Sequence, residues 1–171
     1  MIILNKKITE RDIITGLSIY NYYILNSLSN FEEKKLSINS FKSLYKKIES
    51  DKLPFIIGKE KDKIVGIAFV NKFREKSGYR FTYEHSIYVH PEFLNHGYGS
   101  KLLRNLIKLC KKNRKIKNLV AVIGGSKNIQ SIKIHAKNGF KYIGTLKKIG
   151  YKKNKWIDSV YMLKKLWKKQ M

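Results

Sequence analysis

A single cysteine, Cys110, occurs in the 171 residues, so the chain has neither an internal disulfide nor a metal site built on several cysteines. It sits among apolar positions at helical spacing and reads as a packing residue. One thiol also fits a reducing compartment. Proline occurs only at Pro54 and Pro91, and no Pro- or Ser-rich stretch divides the chain. The expectation is one domain over residues 1–171. Long apolar runs are missing as well. None approaches the ~20 residues that cross a bilayer, and Met1 to Leu4 is too short for a secretion signal before the charged Lys6 and Lys7. A soluble, cytoplasmic protein without a membrane partner is expected.

Acidic residues are scarce: 12 Asp and Glu face 37 Lys and Arg, for a net charge of +25. Such a balance favours polyanions, and nucleic acid is one candidate partner. However, the lysines spread along the whole chain. Two clusters, Lys108 to Lys117 and Lys164 to Lys169, are not detached tails. Abundant Ile, Asn, Lys and Tyr also fit an AT-rich coding sequence, so both origins of the charge stay open. Hydrophobic residues make up 43 %, enough for a packed core and too many for a disordered chain.

Periodicity orders the elements. Met1 to Leu4 reads as a strand. Thr9 caps a helix carrying Ile13, Leu17, Tyr20 and Ile24, with Asp12 completing a capping box. Residues 26–35 read as loop, and a second helix runs from about Ser40 to Ile48. Phe55 to Gly58 and Ile64 to Val70 form a hairpin, and Tyr79 to Val89 a long strand ended by Pro91. A helix follows from Gly97 to about Asn113. Leu119 to Ile123 is an apolar strand, Asn128 to Lys137 a short helix, and Phe140 to Lys148 and Trp156 to Leu163 close the chain. The order β-α-α-β-β-β-α-β-α-β-β describes an α+β protein with one mixed central sheet.

The turn Gly97-Tyr98-Gly99 joins a strand to an apolar helix. A helix N-terminus offers unpaired N–H groups and partial positive charge, and glycines let a phosphate oxygen approach the backbone. The turn is therefore a candidate pyrophosphate site. It is not a P-loop, because the Gly-Lys-Ser/Thr ending is missing.

The segment Leu94-Asn95-His96-Gly97-Tyr98-Gly99 resembles motif A of the GNAT acetyltransferases, which reads Gln/Arg-x-x-Gly-x-Gly/Ala. The glycines match, and Leu94 replaces the Gln or Arg. Further motifs are similar to the phosphinothricin and methionine-sulfoximine acetyltransferase branch: Ser29-Asn-Phe-Glu-Glu33, Ser77-Gly-Tyr-Arg80, Glu84-His-Ser-Ile-Tyr-Val-His-Pro91, Asn128-x-x-Ser131, Asn138-Gly-Phe140 and Gly150-Tyr-Lys152. The resemblance implies a GNAT fold, with a mixed, mostly antiparallel sheet flanked by helices. It implies acetyl-CoA as co-substrate, no metal, and a homodimer. The backbone of Ile87, Tyr88 and Val89 would pair with the pantetheine arm. Asn95, His96, Gly97, Tyr98, Gly99 and Ser100 would hold the pyrophosphate, and Asn128 would lie near the thioester.

Attack on a thioester needs a neutral amine, hence a base, an oxyanion partner and an acid for the leaving thiolate. Glu84, amid aromatic residues on the strand before the glycine turn, is the expected base; burial would raise its pKa. His135 is the second catalytic candidate, as a proton relay. Tyr88 or another tyrosine could protonate the thiolate. His85 and His90 read as structural or exposed. By resemblance, Phe31, Arg74, Lys76 and Tyr79 fall on the acceptor pocket, with Trp156 and Asp158 at its edge, across a dimer. The implied acceptor is a small amino acid such as phosphinothricin or methionine sulfoximine. Lys76 stands where relatives carry Arg, and a lysine loses bidentate carboxylate geometry. A phosphorylated amine such as glucosamine 6-phosphate, a protein N-terminus, or a nucleic-acid-binding role on the same scaffold are the alternatives.

Overall fold

The computed structural model describes residues 2–4 and 8–167; Met1 and the end of the second basic cluster lie outside the described residues. The chain runs β1 (Ile2–Leu4), α1 (Glu10–Asn26), α2 (Ile38–Ser50), β2 (Phe55–Glu60), β3 (Lys63–Lys72), β4 (Thr82–Val89), α3 (Tyr98–Lys112), β5 (Asn118–Gly124), α4 (Ile129–Lys137), β6 (Lys141–Lys152) and β7 (Lys155–Lys165). This is the α+β order expected. The strands form one sheet in the order β1-β2-β3-β4-β5-β7-β6. Among the described residues only the β4–β5 pair is parallel.

Local chemistry explains the element ends. Thr9 Oγ1 accepts from the Asp12 N–H at 3.2 Å, and the Asp12 carboxylate accepts from the Thr9 N–H at 3.0 Å. This capping box satisfies two donors at the start of α1. Lys59 on β2 adds an ion pair to the buried Asp12 at 2.6 Å. Ser37 caps α2 by accepting from the Ser40 N–H at 3.1 Å, a start two residues earlier than the apolar pattern indicates. The strand expected from Tyr79 begins instead at Thr82. Ser77–Tyr79 form a single 3-10 turn, and Arg80 keeps helical backbone angles. β6 and β7 extend further than expected, because the two strands pair down to Lys152 and Lys155.

Helices cover both faces of the sheet. On one face, Tyr20 of α1 packs against Phe69 and Tyr88 at ring distances of 6.2 and 5.1 Å. On the other, α3 buries Leu102, Leu103, Leu106, Ile107 and Cys110. Burying side chains of this size contributes roughly 1.5–3 kcal/mol each. Side chains alternate along a strand. Tyr88, and with it Glu84 and Ser86, therefore face α1, whereas His85, Ile87 and Val89 face α3 and α4.

Candidate active site

The parallel pairing of β4 and β5 covers only Thr82, Tyr83 and Glu84, opposite Asn118, Leu119 and Val120. Beyond Glu84 the two strands share no register, and the sheet opens between them. A cleft of about 1300 Å³ occupies this gap. The main chain of β4 alternates its bonding direction. The Thr82 carbonyl accepts from the Phe73 N–H, and the His90 N–H donates to Val65, so even-numbered residues face β3. The N–H and C=O of Ile87 and Val89 then face the gap. They form an edge on which an extended amide-bearing ligand can lie. Tyr88 differs from the expectation: its main chain faces β3, and only its ring reaches the cleft wall. Tyr23 reaches the same edge from α1, donating its hydroxyl to the Val89 carbonyl at 2.7 Å.

At the far end of the gap, Gly97 precedes α3 with φ +75°, a left-handed conformation that a side chain disfavours. Among the described residues no side chain caps this helix, and the first intrahelical bond runs from the Lys101 N–H to the Gly97 carbonyl at 3.2 Å. The N–H groups of Tyr98, Gly99 and Ser100 thus stand at a positive helix end, and all three residues line the cleft. That bare helix end is the fit that a pyrophosphate needs. Asn95 lies at its rim, held by Gln130 of α4 at 3.1 Å. Leu94 also lines the cleft, so the motif position without a polar group faces it. His96 is exposed and points its ring nitrogen back to the Leu94 carbonyl at 2.7 Å, away from the cleft lining. The Asn128 side chain caps α4, accepting from the Ser131 N–H at 3.3 Å.

Glu84 sits at the last paired position before the gap. Burial raises its pKa above the usual 4.5, and the Arg74 cation draws it back. A carboxylate so placed is a stronger base than a free one. Behind it, Asn30 donates to the Tyr88 hydroxyl at 3.2 Å. Burial drives the Tyr88 pKa well above its usual 10, and neighbouring Tyr20 and Glu84 add to this. His135 of α4 is buried against His85 of β4, with Nε2 atoms 2.9 Å apart. Burial lowers the pKa of both rings.

Of the expected acceptor residues, Phe31 lines the cleft. Its ring packs over Gly150, where a Cβ would lie 2.5 Å from it. Arg74 is exposed and stacks on Phe73, acting on Glu84 through charge. Lys76 and Tyr79 lie on the exposed 3-10 turn and do not line the cleft. Asp158 is engaged locally, accepting from the Ser126 hydroxyl at 2.7 Å and the Lys148 N–H at 2.9 Å. Trp156 is exposed beside Tyr151. Three residues that sequence reading passed over also build the site. Buried Lys152 donates to the Asn30 carbonyl at 2.5 Å and fixes the loop that carries Phe31. Tyr23 and Asn30 hold the β4 edge. The Ser29-to-Glu33 and Gly150-to-Lys152 motifs contain two of these three; Tyr23 left no signal beyond helical spacing. Among the described residues no three His, Cys, Asp or Glu side chains gather as a metal site, and no helix is long and apolar enough to cross a membrane.

A splayed parallel pair, a bare helix end and a half-buried carboxylate fit an acyl-CoA-binding transferase site. Known proteins agree. The family profile "Acetyltransferase (GNAT) domain" matches residues 6–161. The phosphinothricin N-acetyltransferase of Alcaligenes faecalis is 31% identical over 159 residues, covering 93% of this chain and 80% of that protein. A phosphinothricin acetyltransferase from Sinorhizobium meliloti, solved in complex with acetyl-CoA, superposes with a TM-score of 0.88 at 28% identity, over 96% of this chain and 87% of that one. A putative acetyltransferase from Salmonella typhimurium, solved with its cofactor acetyl-CoA, gives 0.93 at 27% identity, over 100% and 96%. The chain belongs to the GNAT acetyltransferase family. It is an N-acetyltransferase that uses acetyl-CoA.

Proposed function

We propose that this enzyme acetylates the primary amine of a small amino acid resembling phosphinothricin or methionine sulfoximine, by direct attack on acetyl-CoA with Glu84 as general base. The observation that carries the reading is Glu84 itself: a carboxylate with a raised pKa at the point where β4 and β5 part. When bound, acetyl-CoA supplies the activated thioester. Ile87 and Val89 hold its arm, and Asn95, Gly97, Tyr98, Gly99 and Ser100 receive its pyrophosphate. The Val89 N–H polarises the carbonyl on which charge develops. Glu84 takes the ammonium proton, directly or through water, and His135 serves the proton economy of the opposite face. Phe31 bounds the acceptor, and Arg74, which acts on Glu84 through charge, supplies positive charge for a carboxylate. The names of the relatives support the acceptor class.

A homodimer belongs to the same reading. The edge strand β6 exposes Tyr142, Ile143, Leu146, Ile149 and Tyr151, and Trp156 at the start of β7 is exposed beside them. An apolar edge of this length favours a second copy of the chain. The single buried thiol and the supply of acetyl-CoA favour a cytoplasmic setting. The test is thiol release from acetyl-CoA with phosphinothricin, methionine sulfoximine, other amino acids and glucosamine 6-phosphate. Turnover greatest with the first two supports the reading; preference for the sugar phosphate overturns the acceptor class.

A further inference from the structure

The buried histidines hold a proton-counting problem. His85 Nδ1 lies 2.9 Å from the Val120 carbonyl, and His135 Nδ1 lies 2.7 Å from the Ser131 carbonyl. A carbonyl oxygen only accepts, so each Nδ1 carries the hydrogen. Two neutral rings would then present bare lone pairs to each other across the 2.9 Å Nε2–Nε2 contact. One additional proton between those atoms satisfies all three contacts. Without it, one short contact must give way. The cheapest change is at His135, where the Ser131 hydroxyl waits 3.4 Å from Nδ1 and lines the cleft.

We infer that His85 and His135 share one proton between their Nε2 atoms and deliver it through the Ser131 hydroxyl to the leaving thiolate. The inference rests on the acetyl-transfer reading for the destination of the proton, and on geometry alone for the shared proton. The Ser131 hydroxyl gives its hydrogen to the thiolate sulfur as the C–S bond breaks. Ser131 Oγ takes the hydrogen of His135 Nδ1. The shared proton settles on His135 Nε2, which then donates to His85 Nε2, while His85 keeps its Nδ1 hydrogen on Val120. The pair ends neutral with its Nε2 contact satisfied, His135 Nδ1 gives up the Ser131 carbonyl and accepts from the Ser131 hydroxyl instead, and one proton has left the pair. Solvent returns that proton, and Glu84, on the other face of the sheet, yields to solvent the one taken from the amine. His85 is thus a positioning residue: it touches no substrate and acts through His135.

The surroundings exclude a second proton. Burial works against charge on both rings, and a charge on His135 holds His85 lower still, at about 3, so the two are not charged together; the three short contacts are what call for the first proton. The remaining titratable groups on the elements around the pair are Tyr83, Glu84 and Tyr88 on β4, Lys133 and Lys137 on α4, Tyr98, Cys110 and the Lys and Arg residues of α3, and Lys155, Asp158, Tyr161, Lys164 and Lys165 on β7. None of these makes a hydrogen bond or ion pair with either ring among the described residues. Phe140 closes the remaining side at 5.2 Å from each ring.

The test is imidazole ¹⁵N–¹H correlation spectroscopy of the free protein labelled in histidine, from pH 5 to 9. Half-buried His90 and exposed His96, both outside the pair, serve as internal references. The expected result is one proton taken up by the pair at a single midpoint. His135 passes from hydrogen on both nitrogens to Nε2–H, while His85 keeps Nδ1–H throughout. Two midpoints totalling two protons, or a pair that stays neutral over the whole range, overturns the inference. Ser131→Ala should leave this titration in place yet lower the kcat of thiol release roughly tenfold or more, with the acetyl-CoA KM unchanged. Full activity in Ser131→Ala overturns the exit route. His85→Phe should abolish the shared midpoint. Because the spectra need no substrate, their outcome is independent of whether the acceptor class is right.

Discussion

At the scale of single residues, the proposed chemistry rests on Glu84. Its raised pKa leaves part of the population protonated at acid pH, so kcat/KM should rise with pH through that pKa and then level off. Arg74 lowers the Glu84 pKa, and its replacement by Met should move the acid limb of the profile to higher pH. An unmoved limb would dissociate Arg74 from the base. Glu84→Gln should cut turnover about a hundredfold or more with little change in acetyl-CoA affinity. The same substitution should not destabilise the fold. A folded pKa above the usual 4.5 means that native stability is highest below that value and declines as pH rises through the folded pKa. Thermal melts at pH 7 should therefore place Glu84→Gln at or above the wild type. Glu84 stood out in the sequence as a candidate because aromatic residues surround it and a recognisable motif follows it. The contact between His85 and His135 did not. A lone histidine on a strand carries no sign of its partner, and His135 is fifty residues away.

At the scale of elements, caps and turns decide where the site lies. The Thr9–Asp12 capping box was visible in the residue types alone, while the Lys59 partner was not, because it arrives from strand β2, distant in sequence. Burial works to raise the Asp12 pKa, but the Lys59 and Thr9 hydrogen bonds outweigh it and hold the carboxyl below its usual 3.8. Its contribution is present above that value and disappears as pH falls through the lowered one. Asp12→Asn should cost about 1 kcal/mol in urea unfolding at pH 7, with the difference shrinking near pH 3. At the glycine turn, a β-branched residue at φ +75° costs roughly 1–2 kcal/mol, so Gly97→Val should raise the acetyl-CoA KM about tenfold. An unchanged KM would remove the helix end from the cofactor site. The start of β4 was misplaced from sequence because Tyr79 and Phe81 resemble strand residues. The 3-10 turn at Ser77–Tyr79 delays the strand to Thr82.

At the scale of the molecule, the order of all eleven elements followed from periodicity and turn residues. The gap between β4 and β5 did not, because no local pattern encodes where two strands stop pairing. The exposed apolar face of β6 makes a further expectation: sedimentation should give a dimer, and Leu146→Glu should shift it toward monomer. A monomeric wild type would contradict the homodimer. The central claim is that the gap hosts acetyl transfer with Glu84 as base. Its most direct measurement is thiol release from acetyl-CoA with phosphinothricin across pH, in wild type and Glu84→Gln, alongside calorimetric binding of acetyl-CoA to both. The expected result is wild-type turnover rising through the Glu84 pKa, the loss of that turnover in the variant, and equal cofactor binding. Equal turnover of the two proteins, with the same pH dependence, would contradict it.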